Sequence, residues 1–251
     1  MNSLERAHSA CVMAQRLNNK AAEQIESGAD YDKAIRTLNH ALRLSRADFR
    51  QSQTAHLLML ESCISYSQNV SPHQPQQEDE EDADSSNSRS GLLVIYQQTL
   101  RVTPEYMSQP MGRILPLLVM YNMALAHQLK ALKMKEEEEE DDENNKKGRI
   151  LLLNRSLKLY EVAYQWQNKE EHKSLRFNMI LVNNIGDIHR CVNNKSKFQR
   201  CMQQLMRNMM YVNVVRREGG AAASSSSVLI HTAIMETFRR NIQRSGAAGA
   251  A

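Results

Sequence analysis

At 251 residues the chain can bury a sizeable core, as one large domain or two small ones. Only 5 Pro and 9 Gly occur and aromatics are 5%, while Leu, Met, Ala, Asn, Gln, Lys, Arg and Glu dominate, which favours helix and excludes a turn-rich all-β fold. The formal net charge of +4 hides a partition: the runs 78–84 (EDEEDAD) and 136–143 (EEEEEDDE) hold fourteen of the 28 acidic residues, leaving fourteen against 32 Lys and Arg in a basic body of +18.

Cys11, Cys63, Cys191 and Cys201 are scattered without a CxxC pair, so neither a disulfide framework nor a zinc ribbon is suggested, and a reducing compartment fits. The first twenty residues are broken by charge every few positions and lack an apolar h-region, which argues against a secretory signal. The most apolar stretch, 114–132, is interrupted by Asn122, His127, Gln128 and Lys130 and falls short of a membrane span. The expected setting is intracellular, cytoplasmic or nuclear, with no membrane attachment.

In chain order, a first helix is predicted over 1–27. Asp30 stands as N-cap of a second over 31–44, where Tyr31, Ala34, Ile35, Leu38, Ala41 and Leu42 recur at helical spacing. A third is predicted over 48–66. Residues 67–91 combine Pro72, Pro75, a Gln cluster, the first acidic run and a Ser/Asn tract, the composition of a disordered linker. The stretches 92–96 (LLVIY) and 99–102 (TLRV) are short, apolar or β-branched and stop at Pro104, so 92–103 reads as an extended segment or small hairpin. Helices follow over 114–132, 149–167, 172–192, 197–216 and 226–240. They are separated by an acidic, disordered insertion at 133–148 and a Gly/Ala/Ser break at 218–227, and the tail 241–251 is expected to fray. The expectation is a single all-α domain over 1–251 carrying two acidic insertions.

Residues 21–41 (AAEQIESGADYDKAIRTLNHA) resemble a tetratricopeptide repeat, which places small residues where two antiparallel helices cross. Ala22 matches the small residue of helix A, Ala34 and Ala41 those of helix B, and Tyr31 and Leu38 its bulky positions. Paired helices approach closely only where Gly, Ala or Ser lets the backbones meet. A second copy starts at 120–124 (MYNMA) with Ala124 at the crossing, and its helix B carries Ser156, Tyr160 and Ala163. Ala22 to Ala34 is 12 positions whereas Ala124 to Ser156 is 32, so the acidic loop is an insertion inside the pair. A third copy at 183–189 (NNIGDIH) has Gly186 at the crossing, but the following helix departs from the pattern, with Phe198 and Leu205 where small residues belong. A looser similarity links the chain to poorly characterised proteins in which such pairs flank an extended segment. The resemblance implies antiparallel helix pairs stacked as an irregular tetratricopeptide-like α-α superhelix.

It also implies a concave surface lined by helix A residues, here Arg16, Asn19, Lys20 and Glu23, then Asn122, then Asn183, Asp187 and Arg190, where a peptide or helix of a partner protein would bind. The competing reading has Asn122, Asn183 and Asn184 bridging neighbouring helices internally, since buried amides find partners. Some family members clamp a chaperone's carboxylate tail with Lys, Asn and Arg. Asn122 matches one clamp position, but Glu23 occupies another, and Ile180 and Asn184 stand where Lys and Arg belong, which disfavours that activity.

Nothing in the sequence assembles an active site: GxSxG, a Gly-rich phosphate loop and HExxH are all missing. His189 and Cys191 point roughly 200° apart on a helix, so with Cys201 they make a poor metal site, and no metal or cofactor is expected. His127 and His189 occupy bulky inter-helix positions, and most of the 14 Met lie on apolar faces as gap-fillers. The chain is therefore read as a non-enzymatic interaction or scaffold module with a protein partner. The alternative is nucleic-acid binding through the basic body, where Arg36, Arg43, Arg46 and Arg50 follow one helix and Lys195, Lys197, Arg200, Arg207, Arg216 and Arg217 another, with the acidic loops competing for the same surface.

Overall fold

The computed structural model of the chain describes residues 3–49, 63–66, 96–136, 143–169, 174–218 and 232–244. Among these are the helices α1 (Ser3–Glu26), α2 (Tyr31–Phe49), α3 (Ile114–Glu136), α4 (Glu143–Asn168), α5 (Leu175–Cys191), α6 (Lys195–Glu218) and α7 (Thr232–Arg244). Two short strands, β1 (Ile64–Tyr66) and β2 (Leu100–Val102), form an antiparallel ladder with Ile64 opposite Val102 and Tyr66 opposite Leu100. The fold is all-α, built from packed helix pairs.

The heaviest packing joins α1 to α2, α3 to α4 and α5 to α6, while α2 against α3 and α4 against α5 bind successive pairs into one stack that α7 extends from α6. Local signals set the turns. Asp30 Oδ1 accepts from the Lys33 amide at 2.8 Å and so starts α2, as its N-cap placement predicts. Gly28, at φ 64°, ends α1 in the left-handed conformation that glycine takes without strain. Ser174 caps α5 by accepting from the Phe177 amide at 3.0 Å.

The small residues sit where the helices meet. Ala22, Ala34, Ala41, Ala124, Ser156 and Ala163 are fully buried, as are Leu38 and Tyr160, while Tyr31 is half-buried. The Ser156 hydroxyl donates to the Ala124 carbonyl at 2.7 Å, which requires α3 and α4 to touch at that level. A Cβ on Gly186 would stand 2.7 Å from Met202 Cε and 3.1 Å from Cys201 Cβ. The third pair therefore takes its large residues on α6 because α5 offers a glycine opposite them.

α3 occupies the centre. Every residue from Ile114 to Gln128 is buried, because α1, α2, α4 and β2 surround the helix. An apolar sequence without a polar stripe is the signature of a helix enclosed on all sides. Tyr121, Tyr160 and Phe177 join α3, α4 and α5 through tilted ring contacts with centroids 5.8 Å apart.

Several boundaries differ from the sequence expectation. The predicted 133–148 insertion is helical at 133–136 and 143–148, leaving only 137–142 outside the described residues. Lys and Glu are good helix formers, and Met134 Cε lies 3.4 Å from where a Gly148 Cβ would stand, so the second pair lengthens at both edges of the charged run. Of the helix predicted over 48–66, residues 48–49 belong to α2 and Cys63 is helical, 50–62 lie outside the described residues, and 64–66 is strand because it pairs with β2. The extended segment predicted near 92–103 is present over 96–103, with 100–102 paired to the distant 64–66, and 92–95 lie outside the described residues. At the tail, 241–244 continues α7 with Asn241 and Ile242 buried. The predicted linker 67–91 lies outside the described residues, as does 219–231, which covers most of the predicted 218–227 break.

Candidate functional site

Residues 96–102 lie extended across the first helices of all three pairs, and their even-numbered backbone groups bond to helix side chains. On α5, Asn184 Oδ1 accepts from the Tyr96 amide and Asn184 Nδ2 donates to the Tyr96 carbonyl, both at 3.1 Å. On α3, Asn122 does the same for Leu100 at 2.9 and 2.7 Å. On α1, Asn19 does the same for Val102, with both bonds at 2.8 Å. The Tyr121 hydroxyl donates to the Gln98 carbonyl at 3.0 Å, and Asn18 adds a second donor to Leu100 at 3.0 Å.

The alternation follows from strand geometry, in which the N–H and C=O of one residue point to the same edge and those of the next residue to the other. The odd edge faces β1, where Arg101 is the register partner of Ser65 and the Thr103 amide donates to the Cys63 carbonyl at 3.0 Å. Side-chain amides thus take the place of a second neighbouring strand. Further along, Gln15 continues the row, accepting from the Ser108 amide at 2.8 Å and donating to the Gln109 carbonyl at 2.7 Å.

Side chains of the segment are read as well as its backbone. Tyr96, Thr99, Leu100 and Val102 are buried. The Thr99 hydroxyl donates to Glu26 Oε1, and the half-buried Arg101 pairs with Glu26 at 2.5 Å and with Glu23 at 3.4 Å. One end of the groove is therefore acidic and the other aromatic.

Behind the asparagines runs a buried polar network. Asn184 Nδ2 also donates to the Tyr160 hydroxyl, which donates to Gln128 Oε1, both at 3.1 Å. Gln128 Nε2 donates to Asp187 at 3.1 Å, and Arg190 binds the same carboxylate at 2.9 Å. Burial pushes the Asp187 carboxyl above its ordinary range, while Arg190, Gln128 and Cys191 pull it back. Burial, then the neighbouring Asp187, raises the Cys191 thiol to about 11.

The sequence-derived groove residues divide accordingly. Asn19 and Asn122 hold the extended segment, and Glu23 reaches it through Arg101. Arg16 and Lys20 are exposed on α1. Asn183 does not face the segment: its Oδ1 accepts from Asn241 of α7 at 2.7 Å. Asp187 belongs to the network behind the groove, with Arg190 as its ion-pair partner. Residues 96–102 of the chain itself lie along the helix A face that the resemblance implies as a binding surface. Sequence reasoning missed Gln15, Asn18, Tyr121 and Gln128, and left Asn184 to internal bridging. Asn184 was legible only as the neighbour of Asn183, since one helical step of 100° decides which of the two faces the groove.

The arrangement suits non-covalent recognition. Amides aimed at backbone groups can hold a chain in extended form whatever its side chains, while Glu23 and Glu26 pair with the Arg101 cation. Among the described residues no group of three His, Cys, Asp or Glu could hold a metal ion, and no helix is long and apolar enough to cross a membrane. Compared with family models, with curated protein sequences and with solved structures, the chain matches none.

Proposed function

We propose that this chain is a non-enzymatic interaction scaffold of tetratricopeptide-like helix pairs that holds an extended peptide of a protein partner in the groove along α1, α3 and α5. The observation that carries the reading is that Asn19, Asn122 and Asn184, one from each pair, bond both backbone groups of Val102, Leu100 and Tyr96. The four free cysteines suit an intracellular setting, cytoplasmic or nuclear. A photo-crosslinking residue at Arg16 or Lys20, exposed on α1 beside the groove, tests the reading in cells. Partner segments should be captured there and not at the distant exposed Tyr211, and equal capture at all three positions would remove it.

A second reading, nucleic-acid binding, is favoured by the placement of charge. Lys33, Arg36 and Arg43 on α2, Arg155 and Lys158 on α4, and Lys197, Arg200 and Arg207 on α6 are all exposed, on the second helices of the pairs. Side chains of Arg46, Arg50, Arg216 and Arg217 lie outside the described residues. Neutralising the runs 78–84 and 136–143 should then raise RNA or DNA affinity with a steep salt dependence. Failure of the neutralised chain to bind at low salt excludes this reading.

A further inference from the structure

We propose that residues 96–102 are a resident ligand of the groove, exchangeable for a partner segment of the same pattern: an aromatic, a hydroxyl three positions on, then an aliphatic, a cation and an aliphatic. This rests on the reading above that a partner's peptide enters the groove, and it names that peptide's chemistry and what keeps it out.

The groove reads two kinds of information. Asn184, Asn122 and Asn19 address only backbone, so any extended chain of matching length satisfies them. Selectivity lies in what the side chains meet. Tyr96, Leu100 and Val102 are buried among the helices. The Thr99 hydroxyl and the Arg101 guanidinium converge on Glu26, and Glu23 adds a second carboxylate to Arg101. A segment lacking the cation would leave Glu26, whose side chain is only 22% exposed, without its counter-charge.

The segment's own sheet does not fix it in place. Its strand partner β1 has three residues, so the ladder alone is marginal and the segment depends on the burial of Leu100 and Val102 among the helices. The helix side chains do most of the holding, and they would hold a second chain equally well. The advantage of 96–102 is tethering, which gives it an effective concentration on the order of millimolar. A partner therefore enters only with high affinity or when the resident segment is weakened. Thr99 and Arg101 are where weakening is easiest, because a negative charge at either would face Glu23 and Glu26 while leaving the groove unchanged.

The test uses the full chain and a fluorescein-labelled peptide YQQTLRV, the sequence of residues 96–102. The Thr99→Glu, Arg101→Glu double variant should bind the peptide about tenfold or more tighter than the unaltered chain, because its own segment is expelled. A peptide with Glu in place of the Arg should bind that variant about tenfold more weakly, through like-charge repulsion at Glu23 and Glu26. Equal binding by variant and unaltered chain, with helical circular dichroism retained, overturns the proposal. If the variant loses its helices, hydrogen exchange on the unaltered chain decides. The Leu100 and Val102 amides should lose protection as the peptide is raised to millimolar, and unchanged protection overturns the proposal. A partner crosslinked at Arg16 or Lys20 that YQQTLRV cannot compete away removes this proposal and leaves the scaffold function standing. Peptide exchange without any crosslinked partner does the reverse.

Discussion

Asn122 on α3 satisfies both backbone groups of Leu100, accepting from its amide at 2.9 Å and donating to its carbonyl at 2.7 Å. An asparagine side chain carries the same donor and acceptor as a peptide unit, so it can stand where the next strand of a sheet would be. With β1 on the opposite edge, a three-residue strand is bonded on both sides although only one neighbour is a strand. Helices otherwise offer no backbone partners along their flanks, and a buried unpaired amide is costly.

Asn122→Ala is the direct check on that arrangement. It leaves the buried Leu100 amide without its acceptor, while the carbonyl keeps Asn18 at 3.0 Å. A buried group left unpaired costs about 1–3 kcal/mol, and the emptied volume adds to it, so a loss of about 2–4 kcal/mol is expected. Asn19→Ala, at a half-buried position, should cost about 1 kcal/mol because water can replace part of the bonding to Val102. Urea unfolding of both variants settles the order, and equal losses would show that the asparagines do not act through burial of the backbone.

Gly186→Ala probes the closest helix approach. The new Cβ would lie 2.7 Å from Met202 Cε, a mobile chain end that can withdraw, and 3.1 Å from Cys201 Cβ, which cannot move without its backbone. Overpacking of this kind costs about 1–3 kcal/mol. Adding Met202→Ala should recover part of it, so that the double variant loses less than the sum of the single losses. Additive losses in thermal or urea unfolding would mean that the two side chains do not compete for this space.

Acid should destabilise the chain through its histidines. Burial, then the charges of Arg155 and Lys130, lowers the His127 pKa to about 4 against the opposing pull of Asp32, and its Nδ1 has no hydrogen-bond partner. Burial and Lys197 lower that of His189 in the same direction. Unfolded, both titrate near about 6.5. Between that pH and about 4 the unfolded chain binds a proton that folded His127 refuses, so stability falls as pH falls through this window. The urea midpoint should drop between pH 6.5 and pH 4.5, and His127→Gln should flatten the slope. An unchanged slope in the variant would assign the acid sensitivity elsewhere.

How much of this was readable in the sequence depends on range. Helix spacing and the small residues at Ala22, Ala34, Ala41, Ala124 and Ser156 are local or periodic signals, and these helices and close contacts lie where that pattern places them. The edges of the acidic insertion differ from the expectation because helix propensity and the packing of Met134 against the next helix extend α3 to Glu136 and start α4 at Glu143, whereas composition alone reads 133–148 as solvated loop. The pairing of 64–66 with 100–102 spans a gap that no periodicity crosses. Likewise, the polarity of helix A marked Asn19 and Asn122 as groove residues, but nothing in the sequence says that the segment they hold belongs to the same chain.

Tyr160→Phe links the buried network to the groove. The hydroxyl accepts from Asn184 Nδ2 and donates to Gln128 Oε1, both at 3.1 Å, and Asn184 in turn holds Tyr96. Removing the oxygen leaves the ring in place, so packing against Tyr121 at 5.8 Å is retained and global stability should fall by about 1–2 kcal/mol. The larger effect should be local. With one of its anchors gone, Asn184 loses the contact that fixes its amide toward the segment, and the Tyr96 end should open before the helices do. Hydrogen exchange should therefore show the Tyr96 amide losing more protection than the Leu100 amide, which Asn122 holds independently. A uniform loss at both amides would mean that the network supports only global stability and that the two ends of the groove release the segment together.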